Sequence, residues 1–172
     1  SGTGGDGIFM RSAGSGSIGL LVQNNTVNGY GNVGVHLQNN DGSSVMNASI
    51  FGNQVTGPTG FAFAGLFVDN GATAGDTSTA NIVVGSATVA ANKNDISVGP
   101  FPDVSLSNFN AATTFNLSRN GSASSVAAQI IDDDNLNPAA TDTDTSGGLG
   151  AITAVGTLPV APAAPAGCTI PP

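Results

Sequence analysis

Few side chains in this sequence could do acid–base or metal chemistry. The chain has 172 residues, with eleven acidic residues against three Lys and Arg residues and one His. Cleavage of a polysaccharide needs clustered carboxylates on neighbouring strands, or a Ca²⁺ site with a basic residue beside it. His36 lies between two apolar residues of a predicted strand, so we expect it to face solvent and not to be a catalyst. The acidic residues of Gly-rich segments are assigned to turn formation; they are Asp6, Asp41, Asp69 and Asp76.

The densest acidic run, Asp132, Asp133 and Asp134, is a candidate Ca²⁺ site. Its carboxylates and the backbone carbonyls of the Asn-rich turn at 135–137 could supply the oxygen ligands that Ca²⁺ prefers. The run lacks the Asp-x-Asp-x-Asp-Gly spacing of a dedicated loop, which favours a solvated acidic turn instead. A Gly-x-Gly-x-x-Gly match at 14–19 has no strand–helix–strand context, so it predicts no dinucleotide site. No other cofactor is expected.

Composition and charge exclude several classes of protein. The net charge is -8 and the pI is about 4.1, so the chain lacks the positive surface needed to bind nucleic acids or anionic membranes. No apolar run is long enough to span a bilayer. All the acidic residues are Asp and 25 residues are Gly, which favours strands and turns over helices. Cys168 is the sole cysteine, so no internal disulfide is predicted.

Three segments begin alike, with a Gly followed by alternating apolar residues. Gly7, Gly34 and Gly65 start them, at spacings of 27 and 31 residues. Each start is followed by a polar loop and a second apolar run, and such a period is typical of a solenoid. In a parallel β-helix alternate side chains point inward and stack. We expect one inward file of Ile8, Met10, Val35, Leu37, Leu66 and Val68, and another of Val27, Val55 and Ile96.

Asn25 and Asn53 occupy the same place in the first two repeats, each opening an Asn-x-Val-x-Gly motif. We expect them to lie at equivalent turns, in the left-handed backbone conformation, and to hydrogen-bond to the Asn of the next coil. The alternative interpretation is that these segments are ordinary strands and turns of a β-sandwich.

The pattern changes after residue 98, which divides the chain into three predicted regions. Solenoid coils cover 1–98, irregular strands with a capping segment cover 99–145, and a strand followed by an extended Pro/Ala tail covers 146–172.

Individual elements are predicted in the last two of these regions. Strands are expected at 104–107, 114–117 and 151–155. A helix is expected over 122–132, with a Ser N-cap, and would cover the open end of the solenoid.

Several motifs occur in a recognisable order. Gly65–Thr79 contains Gly-Ala-Thr-x-x-Asp-Thr, and it is followed by Asp-Ile at 95–96, Thr-Thr-Phe-Asn-Leu at 113–117 and Gly-Cys at 167–168. In this order the chain resembles the C-terminal coils of large bacterial β-strand-repeat surface proteins, an adhesin- and hemagglutinin-like group. The resemblance implies an all-β fold, a right-handed parallel β-helix of about three to four coils, and a bacterial extracellular or cell-surface location.

The resemblance implies no catalytic residues. In that group a Cys often follows the Thr-rich loop and could pair with the late one. Here Ala80 and Asn81 stand in that place, which leaves Cys168 unpaired within the chain.

We therefore expect a non-enzymatic structural or adhesive module that assembles head to tail into a fibre. Ala151, Ile152 and Val155, in the apolar stretch 150–162, are the expected assembly contacts, through strand addition to a second copy. Continuation of a longer parent chain is the alternative to a homo-oligomer.

The runner-up function is a carbohydrate-binding or polysaccharide-cleaving β-helix, with a surface glycan as partner. Such a protein should carry aromatic and carboxylate side chains together on one outer face. The absence of Trp and the presence of a single Tyr, Tyr30, argue against it.

Overall fold

The computed structural model describes residues 5–59, 61–136, 143–147 and 150–158. Over these residues the fold is all-β, with thirteen strands, one α-helix, α1 (Ala127–Asp134), and one 3₁₀ helix (Ala90–Asn92). The strands are β1 (Ile8–Gly14), β2 (Ser17–Gln23), β3 (Thr26–Val27), β4 (Val33–Gly42), β5 (Val45–Phe51), β6 (Gln54–Thr56), β7 (Ala64–Asn70), β8 (Thr79–Val84), β9 (Asp95–Ser97), β10 (Val104–Asn108), β11 (Thr114–Ser118), β12 (Thr143–Gly147) and β13 (Ile152–Val155).

The strands form three parallel sheets. Sheet A has the order β1-β4-β7-β10-β12, sheet B the order β2-β5-β8-β11-β13, and sheet C the order β3-β6-β9. Consecutive strands of the chain enter sheets A, B and C in turn, and this order occurs three times, from β1 to β9. We call each round of the chain through the sheets a passage. The fourth passage runs through β10, β11 and α1, and β12 and β13 follow it. Because parallel neighbours cannot be joined by a tight hairpin, the neighbour of each strand comes from the next passage of the chain.

The predicted inward files are confirmed as aligned residues on parallel strands. In sheet A, Ile8 pairs with Val35 and Val35 with Leu66, and in sheet C, Val27 pairs with Val55. Met10, Leu37 and Val68 are aligned in the same way in sheet A, and Ile96 continues the file of sheet C. These side chains belong to one apolar core, in which Ile8 and Met10 are half-buried because β1 is an edge strand.

Asparagine side chains stack inside the protein between sheets B and C. Nδ2 of Asn25 donates to Oδ1 of Asn53 at 2.9 Å, Nδ2 of Asn53 donates to Oδ1 of Asn94 at 2.9 Å, and Nδ2 of Asn94 donates to Oδ1 of Asn135 at 2.8 Å. The predicted equivalence of Asn25 and Asn53, and their hydrogen bonds to the Asn of the next passage, are confirmed.

The left-handed conformation predicted for Asn25 and Asn53 is wrong. The positive φ angles occur one residue earlier, at Asn24 (56°) and Gly52 (61°). The chain therefore bends before the stacking residue, whose amide then lies along the ladder. At the third passage Lys93 precedes the ladder residue in an extended conformation, because the chain arrives there through the 3₁₀ helix.

Two further asparagine ladders were not predicted. At the end of sheet A, Nδ2 of Asn39 donates to Asn70 at 2.8 Å and Nδ2 of Asn70 donates to Asn108 at 3.0 Å. On sheet B, Asn47, Asn81 and Asn116 form a half-buried ladder. Buried amides need partners, and stacking supplies them without a charged group.

Helix α1 differs from its prediction in position and capping. It begins after Val126, which is extended and makes no side-chain cap, so the predicted Ser N-cap is wrong. Ser122 instead donates to the carboxylate of Asp133 on the last turn of the helix. Ile130 and Ile131 enter the core. The helix does not close the end of sheets A and B, because β12 and β13 extend these two sheets after it.

The strands predicted at 104–107, 114–117 and 151–155 correspond to β10, β11 and β13. Within the chain, Ile152–Val155 pairs with β11, and this pairing leaves the other edge of β13 without a strand neighbour among the described residues. Phe115 is fully buried, and pairing its strand with β13 covers backbone groups that would otherwise be free. Cys168 and the predicted tail lie outside the described residues.

Candidate functional site

The outer face of sheet A carries a row of aromatic rings that crosses the strands. His36 points outward because its neighbours on β4 point into the core, and it pairs in register with Phe9 on β1 and Phe67 on β7. The ring centroids of Phe9 and His36 lie 5.0 Å apart, as do those of His36 and Phe67. Phe63 extends the row, with its ring centroid 4.8 Å from that of Phe67. The two 5.0 Å spacings, from Phe9 to His36 and from His36 to Phe67, follow from the distance between neighbouring strands.

His36 is held between two carboxylates. Its Nδ1 lies 2.7 Å from Oδ2 of Asp6, and its Nε2 lies 3.2 Å from Oδ2 of Asp69. The side chains of His36, Asp6 and Asp69 are 12%, 14% and 6% exposed, so the expectation of a solvent-facing His36 is wrong. Because an ionised carboxylate only accepts hydrogen bonds, this geometry favours the protonated form of His36, which can donate one N–H to each carboxylate.

The pKa of His36 is raised above its ordinary value by this arrangement. Burial lowers the pKa, but the hydrogen bonds to Asp69 and Asp6 and the negative charges of both carboxylates together raise it more.

Amide groups fix both carboxylates in place. Oδ1 of Asp6 accepts from Nδ2 of Asn32 at 2.7 Å and from the backbone N–H of Val33 at 3.2 Å. Asp69 accepts from Nε2 of Gln38 at 3.2 Å and from Nδ2 of Asn40 at 2.9 Å. The cluster is therefore a preorganised hydrogen-bond network in which two acidic side chains flank one histidine ring.

The three acidic residues that were predicted, with Asp6, to form turns have different structural roles. Asp69 lies in β7, not in a turn, and Asp41 lies in β4, where its carboxylate pairs with Arg11. Asp76 does act as a turn residue, because its carboxylate accepts from the backbone N–H groups of Gly42 at 2.7 Å and Thr73 at 3.1 Å.

Exposed Phe side chains surround the cluster. Phe9 is 52% exposed and Phe63 is 49% exposed, whereas Phe67 between them is 8% exposed. Aromatic and carboxylate side chains thus do share one outer face, which the count of Trp and Tyr did not anticipate. The signal was present in the repeats, since Phe9, His36 and Phe67 each stand two residues after a repeat-starting Gly.

The three acidic residues at the end of α1 have different surroundings. Gln129 donates to Asp132 at 3.0 Å and to Asp133 at 3.2 Å, whereas the side chain of Asp134 is fully buried. Burial raises the pKa of Asp134 to about 7, against smaller lowering by the backbone N–H of Ala87. Over the described ranges, no three His, Cys, Asp or Glu side chains are grouped so as to hold a metal ion, and these carboxylates are no exception.

No helix among the described residues is long and apolar enough to cross a membrane. The fold and the site define an all-β protein of parallel sheets with an aromatic and acidic outer face. In comparisons with protein-family models, curated proteins and solved structures, the chain has no match.

Proposed function

We propose that the three sheets are the faces of one right-handed β-helix, and that this β-helix is a non-enzymatic structural and adhesive module of a bacterial extracellular or cell-surface protein. Support for the winding comes from the regular order in which the chain enters sheets A, B and C. Support for the hand comes from the strong general preference of parallel crossover connections for right-handed winding.

The observation that carries the structural role is the continuous stacking along the three sheets. The ladder that runs from Asn25 to Asn135 spans four successive passages of the chain. Each passage adds parallel backbone pairing and a stacked amide, so the chain builds a rod whose outer side chains lie in files. A rod of this kind suits a structural protein that bridges a distance and presents its outer face for binding.

The proposed module also assembles head to tail with further copies of itself. In the described part of the chain, β1 and β2 have a strand neighbour on one side only, and so do β12 and β13 at the other end of sheets A and B. Ile18 and Leu20 at the first edge are half-buried, and so are Ile152 and Val155 at the last. Joining these edges would extend both sheets and cover apolar side chains. Surface location is supported by the low content of Lys and the abundance of Gly.

The test of assembly compares two charged substitutions in β2. Ile18→Lys places a charge on the inward, half-buried side of the edge strand, and Gln23→Lys places the same charge at an exposed position of that strand. Sedimentation velocity and negative-stain electron microscopy at rising concentration should show filaments for the unmodified chain and for Gln23→Lys, and monomers for Ile18→Lys. An unmodified chain that stays monomeric at high concentration would contradict assembly and favour a module within a longer chain.

A further inference from the structure

We infer that the outer face of sheet A binds a neutral carbohydrate chain, with Phe9 and Phe63 as stacking platforms over the rigid His36 cluster. This inference rests on the proposed adhesive function and supplies the chemical class of its ligand.

Two aromatic rings on this face are exposed to solvent. Phe9 and Phe63 are about half exposed, and each contacts a ring that is largely covered, His36 for Phe9 and Phe67 for Phe63. An aromatic side chain left in water loses hydrophobic stabilisation, so a row of them on one sheet face marks a contact surface. Flat apolar ring faces match the C–H faces of pyranose sugars.

The charges of the face favour a neutral ligand. The His36 ring already lies against both carboxylates and against an aromatic ring on each side, so the features that would bind a cationic ligand are occupied. Anionic ligands meet two acidic side chains on a chain whose net charge is -8. Arg11, the basic residue of this face, is paired with Asp41.

Two amides supply oriented polar groups beside the rings. Asn32 is exposed and Gln38 is half-buried. Each donates one N–H to a carboxylate of the cluster, to Asp6 and Asp69 respectively, and this bond fixes its orientation. Their carbonyl oxygens remain to accept hydrogen bonds from sugar hydroxyls. Groups that are held before binding lose little conformational entropy when the ligand arrives.

The experiment measures binding of cellohexaose, chitohexaose and mannohexaose by isothermal titration calorimetry, with polygalacturonate and hexalysine as charged comparisons. At least one neutral hexasaccharide should bind, and Phe9→Ala and Phe63→Ala should each weaken it roughly tenfold, as expected for loss of one aromatic contact. Phe109→Ala is the matched control, because Phe109 is a 38% exposed Phe that lies beside the loop Gly71–Gly75.

Each outcome is decisive. No binding of any neutral hexasaccharide, stronger binding of polygalacturonate or hexalysine, or an equal loss in Phe109→Ala would overturn the inference. Circular dichroism of each variant establishes that it has folded. Measuring the same binding in Ile18→Lys separates the two proposals, because sugar binding by this variant would support the ligand even if assembly fails.

Discussion

At His36, protonation and stability are linked. The folded protein raises the pKa of this side chain through the hydrogen bonds and charges of Asp69 and Asp6, so the folded state binds the proton more tightly than the unfolded state does. This contribution to stability is fully present below the pKa of an unfolded His, about 6.5, and is lost as the pH rises through the higher pKa of the folded state.

We therefore expect the free energy of unfolding to fall as the pH rises through this window, because the charged hydrogen bonds of His36 are then lost. Urea denaturation at pH 5.5 and pH 9 measures the change. His36→Gln is the control, because the chain has one His and the variant keeps a polar side chain at that position. An equal fall in His36→Gln would show that the pH dependence comes from other groups.

The position of His36 could be predicted from the sequence, and its surroundings could not. Alternation with Val35 and Leu37 correctly placed it on the outer side of β4. Its two carboxylates lie 30 and 33 residues away in the chain and meet it only through the register of β1, β4 and β7. Local spacing carries no information on such a contact, so Asp69 was assigned to a turn.

At the scale of the strand, the repeat-starting glycines mark a close approach of two sheets. A Cβ atom on Gly34 would lie 2.3 Å from Cγ1 of Val55 and 2.6 Å from the carbonyl oxygen of Gly65. Gly7 and Gly65 are equally crowded, by Val27 and Ile96 respectively. Sheet A therefore starts against the inward file of sheet C, and only a residue without a side chain fits there.

We expect Gly34→Ala to lower the free energy of unfolding by about 1–3 kcal/mol, the usual cost of overpacking a core. Gly16→Ala is the matched control, since a Cβ atom there meets nothing within 4 Å. Urea denaturation of both variants checks the prediction. Equal stabilities of Gly34→Ala and the unmodified chain would mean that the two sheets can separate enough to admit a methyl group.

The elements themselves were predictable where the sequence repeats and less so elsewhere. The three Gly-apolar starts predicted the strands of sheet A and their alignment, because a one-residue slip of the register would move the apolar side chains to the outer face. Helix α1 was displaced by five residues at its start, since its core residues Ile130 and Ile131 decide its placement and the Ser-rich segment before it does not. The buried ladder beginning at Asn39 was missed because its members stand at strand ends within differing local sequences.

At the scale of the whole molecule, binding and cleavage of a carbohydrate make different demands on the same face. A glycosidase needs one carboxylic acid that gives a proton and a second carboxylate that acts as base or nucleophile. Asp6 and Asp69 lie within hydrogen-bond distance of the ring nitrogens of His36 and also accept from neighbouring amides, so contacts inside the cluster occupy both side chains. In the proposed role, Phe9 and Phe63 of this face bind sugar, while the contacts of His36 with Asp6 and Asp69 serve stability.

We accordingly predict that the protein neither hydrolyses nor eliminates a polysaccharide, including any that it binds. The purified chain would be incubated with polygalacturonate and with the neutral hexasaccharides, and products followed by reducing ends and by the ultraviolet absorbance of unsaturated sugars. Neither signal should exceed that of heat-denatured protein. Activity that disappears in Asp6→Asn or Asp69→Asn, with the fold retained, would contradict the prediction and make the cluster an active site. Protein that binds sugar without cleaving it would match a rod whose outer face adheres to a glycan.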